Sequence, residues 1–118
     1  MESILTSIKK MLGLGEEYEH FDVDLIMIIN GIFADLTQMG VGPSEGFYIE
    51  DETSTWTDFI PDMAKLQSVK TYVYLRAKIL FDPASIGSST LASYERQISQ
   101  WEWRLNIEAE SAETKETT

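Results

Sequence analysis

The stretch from Lys70 to Pro83 constrains the fold most, because it carries two apolar stripes where a surface helix of a small domain needs only one. Leu66, Val69, Val73, Ala77 and Leu80 recur at helical spacing, and Tyr72, Leu75 and Ile79 form a second stripe rotated by roughly 100°. Only Gln67, Thr71, Tyr74 and Lys78 line a clearly wet edge. Such a helix is either central in a bundle, or covered on one side by its own chain and on the other by a copy of itself. Pro61 suits its first turn and Asp82-Pro83 ends it near Leu80 or Phe81.

Three further helices are legible around it. Ile4, Leu5, Ile8, Met11 and Leu12 follow a Ser3 cap and stop at Gly13 and Gly15, with Lys9 and Lys10 in the last turn, where cations suit the helix dipole. Phe21-Asp22 opens a second helix, with Asp22 as the cap and Phe21 stapled onto Ile26. Its stripe of Leu25, Ile28, Ile29, Ile32, Phe33 and Leu36 ends at Met39-Gly40, before a turn-rich loop through Gly46. In the last helix Leu91, Tyr94, Ile98, Trp101 and Leu105 keep the three-four spacing of a seam packed along a neighbour.

Residues 47–60 read differently. Phe47, Tyr48, Ile49 and the run Thr53 to Thr57 are aromatic or β-branched and are separated by Glu50, Asp51 and Glu52, so a short β-hairpin or extended arm is expected over about 44–60. From Glu108 the composition is that of a polar, unpacked tail. The expected architecture is all-α: a small four-helix bundle over residues 1–107 with that hairpin or arm between helices two and three, and an extended polar C-terminal tail over 108–118.

Charge and motifs narrow the function. Twenty Asp and Glu against nine Lys and Arg give a net charge of −11, which opposes condensation onto nucleic-acid phosphate. There is no cysteine, so disulfides, thiolate chemistry and sulfur-based zinc sites are excluded, and a reducing cytosol fits. No apolar run approaches the ~20 residues that cross a bilayer, and no basic, apolar leader opens the chain, so a soluble, unsecreted protein with no membrane partner is expected. His20 with Glu17 and Glu19 lacks the ligand spacing of a calcium loop. No nucleophile elbow, phosphate-binding loop or dinucleotide fingerprint occurs, so no catalytic residue, metal or cofactor is expected. The chain reads as a non-enzyme.

What remains are large side chains in excess. Trp56 either closes one end of the bundle or makes an intersubunit contact; Tyr72, Leu75 and Ile79 form the second stripe of their helix. Trp103 and Ile107 fall off the seam of the last helix, and Trp103 shares its face with Arg96 and Gln100. Exposed indoles of this kind are enriched at protein interfaces. Trp56, Tyr72, Leu75, Ile79, Trp103 and Ile107 are therefore the candidate contacts with another chain.

The order of these pieces resembles a known family. Ile8-Lys-Lys-Met-Leu-Gly13, Phe21-Asp-Val-Asp-Leu-Ile26, Gly40-Val-Gly-Pro43, Lys70-Thr-Tyr-Val-Tyr-Leu-Arg76 running on to Leu80-Phe-Asp-Pro83, and Trp101-Glu-Trp-Arg-Leu-Asn106 resemble the small head-tail connector proteins of long-tailed phages infecting Gram-positive bacteria. The likeness runs from about residue 4 to 108. It implies a virion protein, made in the host bacterial cytoplasm, that forms a ring of about twelve copies below the portal. Such a ring extends the DNA channel at the capsid vertex and docks a stopper or tail-terminator protein. Genomic DNA would pass without sequence-specific binding, and Glu50, Asp51 and Glu52 are candidates to line that channel, since negative walls repel phosphate. The rival class is an acidic DNA mimic or regulatory protein that binds a nucleic-acid-handling partner. It calls for carboxylates spaced along one surface, whereas here they are spread over loops and tail.

Overall fold

The doubly apolar helix sits at the centre of the molecule. In the computed structural model, which describes residues 2–117 and the side chains of residues 2–110, five helices follow one another. They are α1 Ile4–Met11, α2 Asp22–Gln38, α3 Trp56–Phe59, α4 Met63–Phe81 and α5 Ser88–Thr117, with a 3-10 turn at Pro83–Ser85. α4 packs against each of the other four helices. Leu66, Val69, Val73 and Ala77 of its first stripe and Tyr72 and Leu75 of its second are all buried within the chain. Of the two positions open to it, α4 takes the central one. Its wet edge runs through Gln67 and Thr71, and at its C-terminal end Ile79 is half-buried and Leu80 exposed.

Local chemistry fixes the helix ends. Ser3 Oγ accepts the Thr6 N–H at 3.2 Å and starts α1. α4 is capped by Asp62, whose Oδ1 accepts the Ala64 N–H at 2.9 Å, so Pro61 stands just outside the helix and not in its first turn. At the end of α2 the Val41 N–H reaches the Leu36 carbonyl at 2.9 Å and the Gly40 N–H reaches that of Thr37 at 3.0 Å. This double bond pattern needs a left-handed residue, which Gly40 supplies at φ +83°. Asp22 is not the cap of α2 but its first residue, and its carboxylate pairs with Lys9, 2.9 Å from Nζ. Lys9 keeps its expected place in the last turn of α1 and is buried there against the start of α2, donating to the Glu16 carbonyl at 2.9 Å.

The core gathers Ile4, Leu5 and Ile8 of α1, Leu25, Ile29, Ile32, Phe33 and Leu36 of α2, and the inner face of α4. Each such side chain contributes about 1.5–3 kcal/mol through the water it excludes. Phe33 anchors an aromatic cluster, with ring centroids 4.6 Å from Phe59, 5.1 Å from Phe47 and 6.4 Å from Trp56.

The hairpin does not form. Among the described residues there is no strand, only an isolated antiparallel bridge between Ser3 and Thr55. Residues 47–55 instead lie along the helices, and the reason is where their backbone bonds go. Asn30 of α2 donates from Nδ2 to the Ile49 carbonyl at 2.9 Å and accepts the Ile49 N–H on Oδ1 at 2.8 Å, replacing a partner strand with one side-chain amide. Ser54 gives its carbonyl to the Ile4 N–H at 3.0 Å, and Asp58 closes α3 onto Thr55 through a 2.9 Å bond to its N–H. Ile49, Trp56 and Phe59 then point into the core.

Nor is the C-terminal segment extended. α5 passes residues 107 and 108 without a break and runs to Thr117. Glu, Ala and Lys are strong helix formers, and a helix already nucleated against α4 propagates through them at little cost.

Candidate assembly surface

The position of α5 decides what the molecule presents outward. α5 lies along α4, with Leu105 buried and Leu91, Tyr94, Ile98 and Trp101 half-buried beneath it. A polar chain fixes this docking. Tyr72, fully buried on α4, donates its hydroxyl proton to Glu102 of α5 at 2.9 Å, and Arg76 donates to the Tyr72 oxygen at 3.0 Å and to Asp35 of α2 at 2.7 Å. Three helices are joined by four side chains. Burial pushes the Tyr72 hydroxyl up to about 12. Burial also works against the Arg76 charge, but the bonds to Asp35 and Tyr72 outweigh it and raise the pKa. Arg76, Asp35 and Glu102 carry no sequence signal for this role, because the partners lie 4 to 41 residues apart.

With that face attached, the opposite face of α5 is bare. Trp103 is 66% exposed, and Ile107, one turn on, is 39% exposed. The other candidate contacts have different surroundings. Trp56 is buried beneath α1, its Nε1 donating to Ser7 Oγ at 2.7 Å, and Tyr72 and Leu75 are covered within the chain. Their large surfaces are taken up by the fold because α1 and α5 lie over them, a coverage set by contacts distant in sequence. The structure does not bring the six together: Trp103 and Ile107 form one exposed patch, and Ile79 is half-buried on α4.

A second exposed apolar patch lies on α2. Val23 is 73% and Met27 70% exposed, again one turn apart. Helical spacing could have found them, since both lie opposite the stripe of Leu25, Ile29, Ile32 and Leu36. Tyr48, also exposed, stands in the loop that Asn30 clasps to α2.

The acidic triplet Glu50, Asp51 and Glu52 is exposed at the tip of that loop. The Thr53 hydroxyl and N–H both bond to the Asp51 carboxylate and hold its pKa below the ordinary value. An open cleft of about 900 Å³ lies between the 38–44 loop and the far half of α5, lined by Met39, Val41, Phe59, Pro61, Leu105 and Ala109. Among the described residues no three His, Cys, Asp or Glu side chains are grouped to hold a metal ion, and no helix is long and apolar enough to cross a membrane. Among the described residues the surface offers two exposed apolar patches, on α2 and α5.

Comparison with known proteins follows the same line. Residues 4–112 match the model of a protein family described as phage connector protein. No curated protein and no solved structure matches the chain.

Proposed function

This chain belongs to the phage connector protein family, and we propose that it is the structural head-tail connector of a tailed phage, a virion component that assembles as a ring of about twelve copies. The ring sits below the portal at the capsid vertex, extends the DNA channel, and docks a stopper or tail-terminator protein on its far side. The exposed Trp103–Ile107 patch carries the reading from family to assembly. An indole left in water by its own fold is the kind of anchor whose truncation commonly costs on the order of 2 kcal/mol of binding. Trp103, Ile107 and the accessible edge of Ile79 take the neighbouring subunit or the portal. Trp56, Tyr72 and Leu75 serve the same surface from inside, by fixing the helices that present it.

The net charge of −11 suits a wall past which DNA slides, because phosphate finds no array of cations to neutralise it. Glu50, Asp51 and Glu52 face the channel in this reading. Cryo-electron microscopy of capsid necks tests it. The expected map holds a ring of this chain between portal and tail, with Trp103 at a protein contact and the acidic loop toward the lumen. A neck in which the chain is absent, or present as scattered monomers, would reject the connector role.

A further inference from the structure

The outward faces of α2 and α5 match each other in spacing, size and charge. On α2 the exposed residues Val23, Met27, Gly31, Ala34 and Gln38 fall on one stripe, uncharged in a chain with 20 acidic residues. On α5 the exposed stripe is Ala92, Arg96, Ser99, Trp103 and Ile107. Read from Ile107 back to Ala92, the α5 stripe repeats the intervals of the α2 stripe read forward, and each spans about 22 Å at 1.5 Å per residue.

Laid antiparallel, the two stripes put Ile107 opposite Val23 and Trp103 opposite Met27, where a thioether meets an indole. Ser99 falls opposite Gly31, and two small residues there let the backbones approach. A carbon placed on Gly31 would meet nothing within 4 Å, so that side of α2 is open. Charge completes the fit. α2 carries Asp22, Asp24 and Asp35 and no Lys or Arg, and Asp24 and Asp35 border its stripe on one side. Arg96 lies within the α5 stripe and Arg104 borders it, and in the antiparallel register they fall near Asp35 and Asp24 respectively. Within one chain the two faces do not meet, because α4 lies between α2 and α5.

We infer that the α2 stripe of one copy receives the α5 stripe of the next, antiparallel and head to tail. This contact rests on the ring reading and gives it a specific joint. The two surfaces differ, so the contact is heterologous and propagates from copy to copy until it closes.

The chain has no cysteine, so pairs can be introduced cleanly into the full chain. Gly31→Cys with Ser99→Cys tests the register and leaves Trp103 in place; Gly31→Cys with Ala92→Cys, displaced by about 10 Å along α5, is the control. Under mild oxidation the first pair is expected to give a ladder of multimers at least tenfold stronger than the control. Equal ladders, no ladder, or a band that stops at the dimer each overturn the contact. Met27→Asp should weaken self-association at least tenfold with an unchanged far-ultraviolet dichroism spectrum, and unaltered association would count against the joint. Rings in capsid necks without the Gly31–Ser99 cross-link leave the connector reading standing and remove this contact. A ladder from necks that hold no ring removes the connector reading and keeps the contact.

Discussion

Tyr72 couples burial to a titratable proton. Its hydroxyl lies between Glu102 and Arg76 and has its pKa raised from 10.0 to about 12, chiefly by desolvation. The folded chain therefore holds this proton more tightly than the unfolded chain. The stability it contributes is complete below pH 10 and is lost as pH rises through about 12. Urea midpoints are expected to fall between those values, and more shallowly in Tyr72→Phe, which at neutral pH is less stable by about 1 kcal/mol. An equal slope in both proteins would refute the assignment. Trp103 is the opposite kind of residue. Because its ring is in water, Trp103→Ala should change the stability of the monomer by less than about 0.5 kcal/mol. Self-association, measured by sedimentation, should weaken by about 2 kcal/mol, roughly thirtyfold.

At the level of elements, the segment between α2 and α4 depends on one amide. Asn30→Ala leaves the N–H and carbonyl of buried Ile49 without their partner, and a loss of about 1–3 kcal/mol is expected. Hydrogen exchange at Ile49 should quicken more than in the centre of α2; protection unchanged at that amide would show that something else holds the loop. The same amide explains where the sequence could be read and where it could not. α1, α2, α4 and α5 announce themselves through stripes such as Leu25, Ile29, Ile32 and Leu36, since periodicity is a local property. Phe47 to Thr57 looks like strand because β-branched and aromatic residues fit any half-buried surface, and nothing nearby in sequence says that Asn30, 19 residues back, will replace the partner strand. Glu108 onward looks unstructured because composition measures what a segment can bury and not whether a helix already begun will continue. On the candidate surface, the off-seam positions of Trp103 and Ile107 are visible in the spacing alone. The enclosure of Trp56 by α1 and of Tyr72 by α5 depends on contacts 49 and 30 residues away, which no window of sequence contains.

For the whole molecule the decisive quantity is charge. Copies that each carry −11 repel one another at long range, while the joint inferred between α2 and α5 is largely apolar. Raising salt from about 50 to 500 mM shortens the screening length from roughly 14 to 4 Å and should strengthen self-association, whereas an interface dominated by ion pairs would weaken. Light scattering at the two salt concentrations separates the cases. The manner in which α5 is fastened adds a mechanical consequence. It is held from one side, by α4, with Glu102 as its polar bolt, and about 22 Å of helix extends from there to Thr117. Leu105, one turn beyond the bolt, is buried in the core, so the direction of that length is set by the packing of α4 and not by the bolt alone. A neighbour that bore on the outer face of α5 would therefore press on the same core that holds α4, and the joint proposed above would report its load to the centre of the molecule.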